Sequence, residues 1–349
     1  CVAAGSPGGE LVADFPPPVR PPGFPFDSHA ESGRVTATHV SEQMEAAARV
    51  ADRVVADVAV ALGCDRSDRE GCERAFVDRF LERAFRRPAS ADERARYAEV
   101  LDAAPDLDES VRRGVQAALM SPAFLYRTEL GVASGGAHVL TSWEVASALS
   151  YGIVGTAPDE LLREAAARDA LQEPGAIAVE ARRLLSDPRA REVFGTFAAQ
   201  WLGVEAIESA ARSPAYASDF GEAVRRAALD ETRRFAAHVA FDATGAYDEL
   251  LRADYSVATA PLSALYGFDR PLDGTPATFA DGRRAGFLGH ASVLATYAHS
   301  DQTSPIRRGL FVRQRLLCQS FPEPPANAGG VPEVDPAATT RERFRQHTD

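Results

Sequence analysis

The stretch FVDRFLERAFRRPASADERARYAEVL, residues 76–101, decides the fold class because it contains one helix end and one helix start. Apolar residues recur at helical spacing through its first half, and Pro88 stops that run. Ser90 and Glu93 then form the Ser-x-x-Glu pattern of a capping box, which predicts that a second helix begins there. The stretch therefore predicts two consecutive helices joined by a short turn.

The same start and stop signals recur along the chain in both directions. Asp106 with Glu109 and Thr141 with Glu144 repeat the capping pattern, and each pair precedes an apolar run of helical period. A long helical run is also predicted at 218–241. There is no repeat of fixed period and no alternation of strands with helices. We therefore expect a mainly all-α fold of multi-helix bundle subdomains.

Few segments fall outside this helical pattern. TFADGRRAGFL, residues 278–288, is the best strand candidate, and Asp281-Gly282 would be the turn of one small β-hairpin. DFPPPVRPPGFPFD near the N-terminus and FPEPPANAGGVPEVDP near the C-terminus contain too much proline for helices. These two segments predict proline-rich irregular ends.

The composition argues against a nucleic-acid-binding protein and against a membrane-spanning protein. The formal net charge is −12 and all 38 basic residues are arginines spread among acids, so a nucleic-acid partner is not expected. No apolar run approaches the roughly 18 residues that cross a bilayer, so no transmembrane segment is predicted. The chain begins at Cys1, which leaves a lipid anchor on that residue open.

The four cysteines are Cys1, Cys64, Cys72 and Cys318. Cys64 and Cys72 lie at the two ends of a short polar loop, where a disulfide would contribute about 2–3 kcal/mol by the chain-entropy model. A metal site is the alternative, but neither a CxxC pair nor a nearby histidine completes a tetrahedral ligand set. The disulfide is favoured, and it implies an oxidising, extracytoplasmic compartment.

No catalytic, nucleotide-binding or haem-attachment motif occurs in the sequence, so whether the chain is an enzyme stays open. His290 and His299 are nine residues apart, which places them on opposite faces of one continuous helix. They would converge on a metal only if a loop separated them. No metal site is therefore predicted.

The segment HSDQTSPIRRGLF, residues 299–311, contains the best candidate functional residues. His299, Asp301 and Ser304 supply the base, acid and nucleophile types of a catalytic triad, although only the fold can bring them together. The simpler interpretation is that Ser304 caps the helix that starts at Pro305.

Arginines follow this cap. Arg307 and Arg308 lie in the first helical turn, where the helix dipole favours acids. This placement makes sense if either arginine reaches a carboxylate or a ligand. His299, Asp301, Ser304, Arg307 and Arg308 are the predicted site residues.

The order of several motifs resembles a family of domains of unknown function. FVDRFLERAFRRPASADERARYAEVL resembles DUF1595. GVQAALMSPAFLYRTELG, LTSWEVASALSYGIVGTAPDELL and the helix ending in AAQWLG resemble DUF1592. RAGFLGHASVLATYAHSDQTSPIRRGLFVRQRLLCQSFPEPPAN and TTRERFRQHTD resemble DUF1588. The resemblance implies four regions: a proline-rich arm with the tail of a DUF1587-like region at 1–40, then a DUF1595-like domain at 41–131, a DUF1592-like domain at 138–248 and a DUF1588-like domain at 250–349.

The resemblance also implies a cellular context. Such domains belong to large exported proteins of planctomycetes and myxobacteria and accompany c-type cytochrome modules. The cysteine pair of the family corresponds to Cys64 and Cys72, and its Ser-Pro…Arg-Gly motif starts at Ser304. No cofactor is expected in this segment. Haem c is expected on a C-terminal module that the chain lacks, which would make the chain a fragment located in the periplasm or at the cell surface.

Three functions are consistent with this context. The first is a scaffold that docks a haem-bearing domain of the same or a neighbouring protein. The second is an exported hydrolase or oxidoreductase, for example one acting on polysaccharide, with a site near His299–Arg308. The third is a binding module that uses the proline-rich residues 15–26.

Overall fold

The computed structural model describes residues 35–210, 219–279 and 284–321, with short pieces at 15–16, 20–21, 24–28, 213, 282, 338–339 and 342. Cys1, most of the predicted proline-rich arm and the proline-rich segment after Phe321 lie outside the described residues. The described part contains fifteen α-helices and two small antiparallel sheets, which confirms the mainly all-α prediction. None of these helices is both long and apolar enough to cross a membrane. The chain divides into two compact units, Cys1–Val193 and Phe194–Asp349.

The first part of the Cys1–Val193 unit is a helical bundle. Its predicted capping box is present, because Ser90 N donates to Glu93 Oε2 (2.7 Å) and Glu93 N donates to Ser90 Oγ (3.2 Å). A π-helix at Phe76–Phe80 joins two of the helices into one continuous element. The helices are α1 (Ala37–Ala56), α2 (Val58–Leu62), α3 (Arg69–Ala75), α4 (Leu81–Phe85), α5 (Ala91–Asp102), α6 (Leu107–Leu119) and α7 (Pro122–Leu125).

The core of this bundle forms around the π-helix. Phe76 is fully buried and stacks on Phe80 with the ring centroids 4.9 Å apart. Helix α6 reaches this ring through Gly114, where a Cβ atom would lie 2.9 Å from both Phe76 Cζ and Leu101 Cδ2. The absence of a side chain at residue 114 therefore permits the close approach of α6 to the phenylalanine.

A β-hairpin and a second group of helices complete this unit. Strands β1 (Val132–Ser134) and β2 (Ala137–Val139) pair antiparallel. The Thr141–Glu144 capping box is present, and Glu144 also accepts hydrogen bonds from the backbone of Leu130 and Gly131. The helices are α8 (Ser142–Val154), α9 (Glu160–Ala167) and α10 (Pro174–Leu185), with a 3₁₀ turn at Ala170–Gln172, and α11 (Pro188–Leu202) begins in this unit and ends in the next.

The hairpin is not where the sequence pattern placed it. Gly135 and Gly136 have φ of 58° and 86°, as a two-residue turn with both central residues at positive φ requires. In the predicted stretch 278–288, Gly286 instead donates its N–H to Ala253 O (2.9 Å), so this backbone pairs with a different segment. The prediction of a hairpin turning at Asp281-Gly282 was therefore wrong, and Asp281 itself lies outside the described residues.

The Phe194–Asp349 unit packs around its longest helix. Phe235 of this helix and Phe287 are fully buried and meet edge to face with centroids 5.3 Å apart. The core draws on residues from Ala198 to Phe311. After α11, the elements are α12 (Glu222–Phe241), α13 (Tyr247–Arg252), α14 (Ala291–Thr296) and α15 (Pro305–Phe311), a π-helix at Val312–Leu316, 3₁₀ turns at Val204–Ser209, Ala260–Leu262 and Phe287–Gly289, and paired strands β3 (Tyr255–Ser256) and β4 (Ala277–Thr278).

Two aromatic side chains fix the end of α11 in this unit. Trp201 Nε1 donates to Arg315 O (3.0 Å), and the Tyr297 hydroxyl donates to Leu202 O (2.6 Å). Gly203 follows with φ of 67°, and a Cβ atom there would lie 2.9 Å from Tyr297 Oη. The end of the AAQWLG motif is thereby held by one residue before the predicted site and one residue after it.

Candidate functional site

The predicted site residues occupy a tight turn and the start of α15. Ala298 and Thr303 form an antiparallel bridge, and His299 N donates to Gln302 O (2.8 Å), so the chain reverses between them. His299 is half-buried at this turn, whereas Asp301 is exposed. The turn places His299 just before the helix rather than on it.

Ser304 is the N-cap of α15. Its side chain is buried, and its hydroxyl accepts a hydrogen bond from Arg307 N (3.3 Å). Among the described residues, no hydrogen bond or ion pair joins the side chains of His299, Asp301 and Ser304. Helix capping therefore accounts for Ser304, and the three side chains do not form a triad in this structure.

The two arginines differ in their surroundings. Arg307 is exposed and donates through Nη1 to Ala298 O (2.9 Å), which ties the helix to the preceding turn. Arg308 is half-buried, burial lowers its pKa, and its buried Nε atom has no hydrogen-bond partner among the described residues. The buried hydroxyl oxygens of Thr296 and Thr303 have no partner there either. Buried polar atoms are normally hydrogen-bonded, so these three groups are exceptions within the described residues.

The helix after this turn exposes apolar side chains. Ile306, Leu310 and Leu317 are 51%, 38% and 57% exposed, whereas Phe311 is 2% exposed and belongs to the core. Arg313 of the π-helix stacks over Phe321 with its Cζ atom 4.3 Å from the ring centroid. We call the exposed side chains of Ile306, Leu310 and Leu317 the apolar face.

A fully buried polar network lies elsewhere in the Phe194–Asp349 unit. Its centre is Glu231 of α12, which is 1% exposed. Ser256 Oγ donates to Glu231 Oε1 (2.5 Å), and the Tyr266 hydroxyl donates to Glu231 Oε2. His290 Nε2 lies 4.0 Å from Glu231 Oε1 and has no hydrogen-bond partner in the described part of the chain.

Hydroxyl groups and a cation lie beside the histidine and the tyrosine of this network. His290 Nδ1 lies 3.0 Å from Thr232 Oγ1, which lies 2.6 Å from Ser292 Oγ. Arg284 stacks on Tyr266 with its Cζ atom 4.4 Å from the ring centroid. Burial lowers the pKa of His290, and burial together with Glu231 raises the pKa of Tyr266 well above its ordinary value. His290 and Tyr266 therefore stay uncharged near neutral pH.

The network is better suited to holding the fold than to chemistry. Glu231 and His290 are each 1% exposed, so a substrate cannot reach them in this conformation. Sequence reasoning missed this cluster, although one signal was present. Glu231 and Thr232 interrupt the apolar stripe of α12, and polar residues at such positions need buried partners.

Cys64 and Cys72 form the predicted disulfide, with Cα atoms 5.2 Å apart. Cys318 is an exposed free thiol. Within the described ranges, no group of three or more histidine, cysteine, aspartate or glutamate side chains could hold a metal ion. Cys64 and Cys72 therefore form a disulfide and not the alternative metal site.

Comparisons with known proteins place these features in a family. A model described as a protein of unknown function, DUF1595 (PSD5), matches residues 72–129. The corresponding models for DUF1592 (PSD4) and DUF1588 (PSCyt3) match residues 140–268 and 284–349. No curated protein and no solved structure matches the chain.

The buried network joins two of these matches. Glu231, Ser256 and Tyr266 fall in the DUF1592 match, whereas His290 falls in the DUF1588 match. The apolar face and Arg308 belong to the DUF1588 match as well. The chain therefore carries DUF1595, DUF1592 and DUF1588 domains in this order.

Proposed function

We propose that the chain is an extracytoplasmic helical module that docks a haem c-bearing domain of the same or a neighbouring protein. The Cys64–Cys72 disulfide supports the extracytoplasmic setting, because such bonds persist in oxidising compartments. The haem belongs to the docked domain and not to this chain. The resemblance of the domain order to exported cytochrome-associated proteins supports this choice of partner.

The apolar face is the observation that carries the proposal. Ile306, Leu310 and Leu317 recur at helical spacing on the outer side of the segment that begins at Ser304. Soluble proteins bury most side chains of this type, and contiguous exposed apolar residues mark interaction sites. A partner domain that covers this face removes it from water.

Charge favours an acidic partner. Residues 302–322 contain four arginines and no acid, although the whole chain has a net charge of −12. This cationic segment complements a surface rich in carboxylates, and the propionates of haem c add two more. The exposed side chains of Arg307 and Arg313 can pair with such carboxylates.

The first experiment asks where the haem is. Material captured from the native host with an antibody to this chain should show the absorbance of c-type haem and retain haem on a denaturing gel. The 349-residue chain expressed alone in a haem-attaching periplasm should show neither. Covalent haem on the isolated chain would contradict the proposal.

The second experiment tests the docking surface with a haem undecapeptide, a soluble fragment that carries covalently attached haem and both propionates. Binding of this peptide to the chain at low salt is measured by the change in its visible absorbance. Arg307→Glu/Arg313→Glu should weaken binding by about tenfold or more, because two attractive charges become repulsive. Arg53→Glu/Arg168→Glu makes the same charge change on other helices and should leave binding within about twofold. Equal weakening by both pairs, or no weakening by the first, would count against this surface.

A further inference from the structure

The Cys1–Val193 unit contains a cavity that neither the family assignment nor the docking proposal uses. Its volume is about 440 Å³, within the range of pockets that bind small ligands. The walls are mainly apolar and come from α4, α5, α6 and α7. Phe85, Tyr97, Val100, Ala117 and Ala123 form much of this lining.

A few polar groups also line the cavity. Burial raises the pKa of Tyr97, so its phenol keeps its proton near neutral pH, and the Ser121 hydroxyl lies next to it. Glu93 lines the cavity too, but Arg87 binds both of its oxygens (2.8 and 2.9 Å) and Ser90 N donates to it as well. The charge of Glu93 is therefore already balanced.

Arg96 supplies the unbalanced charge. It lines the cavity from α5, one turn beyond Glu93, and its side chain is exposed to solvent. No ion pair or hydrogen bond joins its guanidinium to any described residue, including Asp92 and Glu99 on the same helix. A free cation beside an apolar cavity complements a ligand with an apolar body and one anionic end.

We propose that this cavity binds a small monocarboxylate whose aliphatic or aromatic body lies against Phe85 and Tyr97 and whose carboxylate pairs with Arg96. The pairing is partly exposed, so it selects acids over neutral analogues without dominating the affinity. Most of the affinity comes from apolar contact with the cavity walls. The site is independent of the docking surface proposed above, so either proposal can fail alone.

Calorimetry with two matched probes tests the proposal. 4-Phenylbutyrate and the uncharged 4-phenyl-1-butanol share an apolar body and differ in the anionic end. The chain should bind the acid about two- to fivefold more tightly than the alcohol, which corresponds to one partly exposed charge pair. Arg96→Gln should abolish this preference and leave the affinity for the alcohol unchanged.

Two further variants complete the design. Arg94→Gln removes an exposed arginine of the same helix that pairs with Asp78, and it should keep the preference for the acid. Ala117→Phe fills the cavity and should remove binding of both probes, provided that its circular dichroism spectrum matches the unaltered chain. Absence of binding by the unaltered chain at millimolar concentration, or an acid preference that survives Arg96→Gln, would overturn the proposal.

Discussion

At the scale of single residues, Gly114 shows how a missing side chain permits packing. Gly114→Ala should lower the free energy of unfolding by about 1–3 kcal/mol, since its Cβ atom would meet Phe76 and Leu101 at 2.9 Å. Gly152→Ala is the matched control, because nothing lies within 4 Å of a Cβ atom at that exposed position of α8. Gly152→Ala should raise the free energy of unfolding by about 0.5–1 kcal/mol, because alanine has a higher helix propensity than glycine. Urea denaturation measures both changes, and shifts of the same sign would contradict the packing argument.

A second residue, His290, predicts a dependence of stability on pH. Its pKa in the folded chain is lowered by burial, so the unfolded chain takes up the proton first as the pH falls. Stability should therefore be lost below about pH 6.5, by at most about 1.4 kcal/mol per pH unit from this group. His290→Gln should be less stable than the unaltered chain at pH 7.5 but should lose less on acidification. If His290→Gln loses as much stability as the unaltered chain between pH 7.5 and 5.5, or more, another group controls this pH range.

At the scale of secondary-structure elements, the start of α5 combines a cap with an ion pair. Arg87 and the backbone of Ser90 lower the pKa of Glu93 to about 2. A lowered carboxyl pKa stabilises the fold above the unfolded value near 4.5, and this contribution disappears as the pH falls toward 2. Glu93→Gln keeps a capping side chain but loses the charge, so it should destabilise the chain at pH 7 by on the order of 1–3 kcal/mol.

The pH dependence of the Glu93→Gln effect separates the contribution of the carboxylate charge from that of packing. The difference in free energy of unfolding between the unaltered chain and Glu93→Gln should shrink from pH 5 to pH 3. Ser320→Ala, at an exposed position with no hydrogen bond to the described residues, serves as the neutral control. A difference that is constant over this pH range would mean that the carboxylate charge is not the cause.

Elements set by local signals were predicted from the sequence, and elements set by distant contacts were not. Capping boxes at Ser90 and Thr141 involve residues only three positions apart, so the pattern contains the whole interaction. The hairpin at Gly135-Gly136 was missed because a glycine pair is also typical of a simple linker. The helical period predicted a helix through Ile306 and Leu310 but cannot tell whether a neighbour covers that face.

In the candidate site, too, the local interaction was predicted from the sequence and the distant contacts were not. Ser304 was correctly interpreted as a cap, since capping is local. The partners of Glu231 lie 25 residues away at Ser256 and 35 residues away at Tyr266, and no local pattern records such pairings. The two polar residues in the apolar stripe of α12 predicted only that some partner must exist.

At the scale of the whole molecule, the disulfide links stability to the redox state of the surroundings. Cys64→Ala/Cys72→Ala should lower the free energy of unfolding by about 2–3 kcal/mol, because the bond closes a short loop in the unfolded chain. A reducing agent should lower the melting temperature of the unaltered chain and leave the double variant unchanged. Cys318→Ser, at an exposed free thiol, should behave as the unaltered chain in both conditions. Insensitivity of the unaltered chain to reduction would contradict a stabilising bond.

The hydrogen bonds around Glu231 have a consequence for how genes of this type can be rearranged. Recombination between the segments coding for residues 140–268 and 284–349 would separate Thr232 from His290 and Ser292, whose side-chain atoms lie 3.0 and 2.6 Å from its hydroxyl oxygen. A chimaera of two distant homologues would then enclose a hydroxyl group with mismatched neighbours, and each buried polar group left unpaired costs about 1–3 kcal/mol. Crossovers that preserve function should therefore fall outside this pair of segments, so that the two are inherited together.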